Sequence, residues 1–96
     1  MAETKRRTVH VLISGRVQGV YYRGWTMQTA LELGLTGWVR NRYDGQVEAV
    51  FAGDAAAVTE MLEACALGPP DAEVTGVQIM QEGGAPPDGF EVLADA

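Results

Sequence analysis

Two glycines and two arginines lie close together in one short segment, GRVQGVYYR, which runs from Gly15 to Arg23. Gly15 and Gly19 allow the backbone to take positive φ angles, so successive N–H groups can converge on one small oxyanion. The segment lies between a predicted strand and a predicted helix, and the N-terminus of a helix attracts anions. Arg23 adds a planar set of donors that suits phosphate. We therefore predict a site for a small phosphate-like anion in this segment.

The charge of the chain is divided unevenly along its length. The net charge is -6, yet all seven basic residues precede position 43 and eleven of the thirteen acidic residues follow it. The basic half of an acidic protein can therefore hold a local anion site. The acidic half would repel a long polyanion, which favours a small phosphorylated ligand over nucleic acid.

Length and composition indicate one compact domain. The chain has 96 residues, 47% of them hydrophobic, which leaves no room for a second domain. We expect a flexible N-terminal tail over residues 1–7 and a single domain over residues 8–96. No apolar run approaches the ~18 residues that cross a bilayer, and the N-terminus lacks the apolar core of a secretory signal. Cys65 is the only cysteine, so no internal disulfide can form. These features predict a cytoplasmic protein that does not bind membranes.

Hydrophobic periodicity and turn residues predict alternating strands and helices. A first helix over Tyr22–Leu33 stops at Gly34, and Asp54 is placed to cap a second helix that ends at Gly68. An Asp-Gly pair at positions 44–45 predicts a hairpin between two strands. The predicted strands are Thr8–Ser14, Thr36–Asn41, Gln46–Ala52, Glu73–Gln81 and a short final strand over Phe90–Leu93.

The order βαββαβ predicts an α+β fold of the ferredoxin-like type, in which two helices cover one face of an antiparallel sheet. A short extra strand is expected at the C-terminus. The first strand, first helix and second strand form a crossover, so these two strands should run parallel with the third strand between them. Their carboxyl ends then meet at one edge, where ligands often bind in open sheets. Asn41, at the end of the second strand, should therefore lie beside the segment Gly15–Arg23.

Two segments, GRVQGVYYR (15–23) and GWVRNRYDGQVE (37–48), closely resemble the acylphosphatase family. The shared features are the Gly-x-Val-Gln-Gly-Val loop with its following arginine, the Gly-Trp-Val-Arg-Asn strand end and the Asp-Gly-x-Val-Glu turn. GPPDAEV at 68–74 extends the resemblance, which covers most of the chain from Val9 to Val92. The final residues, EVLADA, lack the family's common closing tyrosine.

The resemblance implies hydrolysis of acyl phosphates to carboxylate and inorganic phosphate, with no cofactor and no metal. By position, Arg23 would bind the phosphate and Asn41 would orient the attacking water. Neither side chain is a base at neutral pH, so the proton of the water would pass to a phosphate oxygen of the substrate. The expected partners are an acyl phosphate and inorganic phosphate, with no nucleic acid, and the protein is expected to be a monomer. The loop amides that would cradle the phosphate are those of Arg16, Val17, Gln18, Gly19, Val20, Tyr21 and Tyr22.

Other interpretations stay open at this point. Arg23 could be a surface arginine, although a cation is unfavourable at the positive end of a helix, and Asn41 could serve only the turn. We expect His10 to have a packing or surface role and Cys65 to be a small core residue rather than a nucleophile. Ferredoxin-like sheets also form RNA-binding and non-catalytic phosphate-binding modules. The RNA-recognition signature is absent from the third strand, QVEAVFA.

Overall fold

The computed structural model describes residues 5–96, which form a five-stranded sheet and two helices. The predicted βαββαβ order and the ferredoxin-like α+β fold are confirmed, and each element lies within two residues of its predicted bounds. The elements are β1 (Arg6–Arg16), α1 (Tyr22–Glu32), β2 (Thr36–Asn41), β3 (Val47–Asp54), α2 (Ala55–Leu67), β4 (Glu73–Glu82) and β5 (Phe90–Val92).

The strand order β4-β1-β3-β2-β5 brings the carboxyl ends of β1 and β2 to one edge of the sheet. Both strands pair antiparallel with β3, which lies between them as the crossover predicts. Val47, at the start of β3, is the register partner of Ile13 on one side and of Asn41 on the other. The chain that leaves β1 and the residue that ends β2 therefore meet across a single strand.

The expected short C-terminal strand is present, and its direction makes the sheet mixed. β5 pairs parallel with β2, with Phe90 opposite Gly37 and Val92 opposite Val39, so the sheet is mixed rather than antiparallel. The Gly/Pro-rich loop over residues 83–89 carries the chain from β4 at one edge to β5 at the other. Because β5 has only three residues, its sequence pattern could not show its orientation.

The N-terminus also differs from the prediction where the structure describes it. β1 begins at Arg6, two residues earlier than expected, because Arg6 and Arg7 are register partners of Asp54 and Gly53 in β3. The guanidinium of Arg7 also forms a salt bridge with Glu82. Residues 1–4 of the predicted flexible tail lie outside the described residues. No helix within residues 5–96 is long and apolar enough to cross a membrane.

Both helices pack against one face of the sheet and share a single hydrophobic core. The core residues that come from β1 are Val9, Val11 and Ile13, and those from the helices include Tyr22, Ala30, Val58, Met61 and Cys65. Cys65 is fully buried, as expected, and burial raises the pKa of its thiol to about 12. The thiol is therefore protonated at neutral pH and packs as a small apolar group.

The start of α2 is capped differently from the prediction. Asp54 occupies the N-cap position, but its side chain makes no capping hydrogen bond. The amide of Ala55 instead donates to the carbonyl of Lys5 at 2.8 Å. The chain entering β1 therefore satisfies the first amide of α2, whereas an N-cap carboxylate would accept from the second or third amide.

Candidate active site

A pocket of about 330 Å³ opens at the sheet edge where β1 and β2 end. The loop between β1 and α1, the first turn of α1, the end of β2 and the end of β5 all border it. Arg23 and Asn41, which come from separate segments of the sequence, therefore line one cavity. The lining residues are Val17, Gly19, Tyr21, Tyr22, Arg23, Gly24, Asn41 and Val92.

The loop reaches the helix through two residues with positive φ. Gly19 has φ 76°, and no atom lies within 4 Å of the Cβ that another residue would carry there. Tyr21 has φ 65° and is the sole non-glycine residue with positive φ in the described part of the chain. A left-handed conformation at such a residue costs about 1 kcal/mol or more, and strain of this kind clusters at functional sites.

The first turn of α1 borders the pocket with residues whose amides have no helical acceptor. The first helical hydrogen bond joins the amide of Trp25 to the carbonyl of Tyr21 at 3.0 Å. The preceding amides have no acceptor within the helix, which is the general situation at a helix N-terminus. These amides belong to Tyr22, Arg23 and Gly24, all of which line the pocket. The positive end of the helix and the Arg23 guanidinium thus act on the same space.

Gly15 has a different role from the predicted one. A Cβ at Gly15 would lie 2.1 Å from the carbonyl oxygen of Glu73, and its φ is 116°. The register between β1 and β4 shifts between Ser14 and Gly15, which brings the two backbones close together. Gly15 is therefore required for contact between strands and does not line the pocket.

The seven loop residues predicted to bind substrate divide into two groups. Val17, Gly19, Tyr21 and Tyr22 line the pocket, whereas Arg16, Gln18 and Val20 do not. Arg16 is exposed at the end of β1, opposite Glu73 in β4. Val20 packs against the core, and the side chain of Gln18 points towards the turn between β2 and β3.

Tyr22 fastens the start of α1 to the second helix. Its ring is buried, and its hydroxyl donates to the carbonyl of Cys65 at 2.7 Å. Burial raises the pKa of the Tyr22 hydroxyl above its usual range, so the group stays protonated. This bond holds the start of α1, which borders the pocket, against α2.

Arg23 has a neighbour that the sequence did not indicate. Its Nη1 lies 3.5 Å from Oδ1 of Asp95, and both side chains are close to half exposed. The C-terminal segment is held beside β2 by backbone bonds, in which the amide of Ala96 donates to the carbonyl of Asn41 at 3.0 Å. The amide of Tyr43 in turn donates to the carbonyl of Ala96 at 2.7 Å. These bonds bring a carboxylate next to the predicted phosphate-binding arginine.

A buried carboxylate anchors the strand end that carries Asn41. Glu48 accepts a hydrogen bond from Nε of Arg40 at 2.7 Å, contacts Nη1 of Arg42 at 3.5 Å and lies 2.6 Å from Nε2 of His10. Burial alone would raise the pKa of Glu48, but the hydrogen bonds from Arg40 and His10 and their charges hold it below its usual value. Arg40 and Arg42 flank Asn41 in the chain, so Glu48 holds both neighbours of that residue.

One part of this cluster could have been predicted from the sequence. The turn centred on Asp44 and Gly45 makes Arg40 and Glu48 register partners, and opposite charges at such positions pair across strands. His10 could not be added in the same way, because its approach to Glu48 depends on the register between β1 and β3. Within residues 5–96, no group of three or more His, Cys, Asp or Glu side chains is placed to hold a metal ion.

Fold and pocket together define a ferredoxin-like α+β domain with a helix N-terminus, an arginine and an asparagine around one cavity. A model of the acylphosphatase family matches residues 9–92. The chain belongs to the acylphosphatase family.

Relatives with known names agree with this assignment. A protein named acylphosphatase from Rhodospirillum rubrum is 55% identical over 84 residues, which are 88% of this chain and 92% of the relative. Another from Haloarcula marismortui is 51% identical over 92 residues, covering 96% and 98% of the two chains. The solved structure of an acylphosphatase from Coxiella burnetii matches with a TM-score of 0.86 and 36% identity, over 97% of this chain and all of the other.

Proposed function

We propose that this enzyme hydrolyses acyl phosphates, the mixed anhydrides of a carboxylic acid and phosphoric acid. Arg23 and the amides of the β1–α1 loop bind the phosphoryl group, and Asn41 orients the attacking water. The observation that carries the proposal is the single pocket that joins Arg23 and the α1 N-terminus to Asn41. One side of that pocket suits an anion, and the other offers a neutral amide that can hold a water molecule.

The proposed reaction needs positioning more than it needs a strong base. The water oxygen forms a bond to phosphorus as the bond from phosphorus to the carboxylate oxygen breaks, and the carboxylate leaves with that electron pair. A carboxylate is already a good leaving group, so fixed donors around the phosphoryl oxygens can supply most of the acceleration. Arg23 and the helix amides are donors of this kind.

The proton of the water has a specific proposed destination. The residues that line the pocket include no histidine and no carboxylate in the described part of the chain. Asp95 lies nearby, but its carboxylate faces the Arg23 guanidinium. We therefore assign the proton to a phosphoryl oxygen of the substrate. The phosphoryl group with the added water oxygen then leaves as inorganic phosphate.

A non-catalytic phosphate-binding module is the main alternative, because it would need the same loop and Arg23. Asn41 favours catalysis, since a module that only binds phosphate has no use for a second polar group on the far side of the pocket. The RNA-binding alternative is disfavoured by the -6 net charge.

The test is a phosphate-release assay with benzoyl phosphate, run without added metal and with a chelator present. We expect release well above the rate in buffer, with inorganic phosphate as a competitive inhibitor. Phosphate binding without turnover would support the non-catalytic module instead. Loss of activity with chelator would contradict the prediction that no metal is needed.

A further inference from the structure

The side chain of Gln18 extends from the β1–α1 loop to the turn between β2 and β3. Its Nε2 donates to the carbonyl of Arg42 at 2.8 Å and to the carbonyl of Gln46 at 2.9 Å. Gln18 is partly buried and lies between Val17 and Gly19, two residues that line the pocket. A carboxamide has two N–H donors, and here both are used on the same turn.

A second bond runs in the opposite direction between the same two regions. Nε2 of Gln46 donates to Oγ of Ser14 at 2.7 Å, just ahead of the phosphate loop. Gln18 and Gln46 thus form a reciprocal brace between the loop and the turn. Arg42, one of the two acceptors, directly follows Asn41 in the chain. The brace therefore joins the half of the pocket that would bind phosphate to the half that would hold water.

The turn does not depend on Gln18 for its own closure. The carbonyl of Arg42 also accepts from the amide of Gly45 at 3.2 Å, and the carbonyl of Gln46 also accepts from the amide of Arg42 at 2.8 Å. Each carbonyl keeps one backbone bond if the Gln18 side chain is removed. Loss of Gln18 should therefore remove the two bonds that join the loop itself to the turn while leaving each of them folded, because the remaining Gln46–Ser14 bond reaches β1 and not the loop.

We propose that Gln18 is a positioning residue for acyl-phosphate hydrolysis, which fixes the placement of Asn41 relative to the phosphate-binding amides. This inference rests on the proposed function of the pocket. Gln18 does not touch the cavity and acts through Arg42 and the residue before it. Positioned groups lose effect steeply when they shift by about 1 Å, so a broken brace should lower turnover more than it lowers phosphate binding.

The variants Gln18→Ala and Gln18→Glu test the inference, with Gln28→Glu as the matched control. Gln28 is exposed on α1 and carries the same chemical change away from the pocket. For Gln18→Ala we expect kcat for benzoyl phosphate to fall by about tenfold or more, in line with the effect of a misplaced group. The inhibition constant for inorganic phosphate should stay within a factor of about three. An unchanged kcat would overturn the inference, and so would a parallel loss of kcat and phosphate affinity.

Gln18→Glu gives a pH readout that a merely structural role would not produce. At neutral pH the carboxylate has no hydrogen to donate and would face two carbonyl oxygens, so kcat should fall below that of Gln18→Ala. As pH falls towards the usual carboxyl pKa of about 4.3, the protonated acid regains one donor, and its kcat relative to wild type should rise. For Gln28→Glu, the ratio of its kcat to that of wild type should not change with pH. A flat ratio for Gln18→Glu would contradict the brace.

A binding measurement separates this inference from the proposed function. Inorganic phosphate is titrated into isotope-labelled wild-type protein and Gln18→Ala while the amide resonances of Tyr43, Asp44 and Gly45 are followed. We expect phosphate to shift these turn resonances in the wild type and much less in the variant. If the wild type is inactive but still shows this difference, the proposed hydrolase function would be contradicted and the role of Gln18 would be supported. Equal shifts in both proteins would contradict the inferred role of Gln18.

Discussion

Nη1 of Arg23 and Oδ1 of Asp95 lie 3.5 Å apart, so the arginine expected to bind phosphate already faces an anion of the chain itself. The exposed fractions of the two side chains are 40% and 48%. Pairs as exposed as this contribute little to stability, typically below about 1 kcal/mol. We therefore expect that a phosphoryl group can displace the Asp95 carboxylate from the Arg23 guanidinium at a small cost in free energy.

Asp95→Asn should tighten phosphate binding, because it removes a carboxylate that competes for Arg23. We expect the inhibition constant for inorganic phosphate to fall by about two- to fivefold at low salt, the range that an exposed pair allows. The difference should shrink as ionic strength rises. Asp88→Asn makes the same charge change in an exposed loop and should have a smaller effect. Weaker phosphate binding in Asp95→Asn would show that the carboxylate orients Arg23 instead of competing with phosphate.

Asn41→Ala and Arg23→Ala should differ in which kinetic constant they change. Loss of one positioned donor typically lowers the rate by about 10²- to 10³-fold, and we expect this fall in kcat for Asn41→Ala with phosphate inhibition retained. Arg23→Ala should lower kcat and weaken phosphate inhibition together, because the same guanidinium holds ground state and transition state. Steady-state assays with benzoyl phosphate and inorganic phosphate measure both effects. Wild-type activity in either variant would mean that the assigned role is wrong.

Glu48→Gln should destabilise the protein at neutral pH and make its stability less sensitive to acid. Because the folded-state pKa of Glu48 lies below its usual value, the contribution of this carboxylate is complete above the unfolded-state pKa of about 4.3. It is lost as pH falls through the folded-state pKa. We expect a cost of about 1–3 kcal/mol at pH 7, and the difference from wild type should narrow below about pH 4.

Urea unfolding between pH 3 and pH 7 measures this difference. Glu82→Gln is the matched control, since the pKa of Glu82 is also lowered, by its hydrogen bond with Arg7, but its side chain is 52% exposed. The loss of stability caused by Glu82→Gln should be smaller at every pH and should decrease with added salt. A Glu48→Gln curve parallel to that of wild type down to pH 3 would contradict the assignment.

Tyr21→Gly should relieve backbone strain and alter the preference among acyl groups. Tyr21 has φ 65°, which glycine adopts without penalty, and the residue is 71% exposed. The ring lies over Gly24, where an added Cβ would come within 2.4 Å of Cε1 of the ring. We expect KM for benzoyl phosphate to rise while KM for acetyl phosphate changes little, because the smaller acyl group has less apolar surface to cover. Tyr21→Phe, which keeps the ring, should retain the benzoyl preference.

Local patterns were enough to predict most of the fold. The run of apolar and β-branched residues in β1, the Asp-Gly turn after β2 and the apolar spacing in α2 are signals that neighbouring residues carry themselves. Once the element order is known, the crossover rule places β3 between β1 and β2. The meeting of Arg23 and Asn41 at one pocket follows from that order, as the sequence indicated.

The features that were missed depend on contacts between distant segments. Asp54 occupies the N-cap position of α2 but makes no capping hydrogen bond, and the chain before β1 bonds the first helical amide, a contact that no local pattern reveals. The approach of Asp95 to Arg23 depends on β5 crossing to the far edge of the sheet. Gln18 looked like a loop residue because its two acceptors lie 24 and 28 residues away in the chain.

Chirality, rather than size, limits which residues can replace Gly19. Open space surrounds the position of an added Cβ at this residue, so its φ of 76° is what disfavours an L-amino acid there. A D-amino acid favours positive φ, because its steric map is the mirror image of that of an L-residue. Chemical synthesis with D-alanine at position 19 should therefore preserve the β1–α1 loop without strain, whereas L-alanine should destabilise this loop conformation by about 1 kcal/mol or more. The handedness of the residue at position 19, and not the room around it, therefore decides which substitutions this part of the pocket accepts without strain.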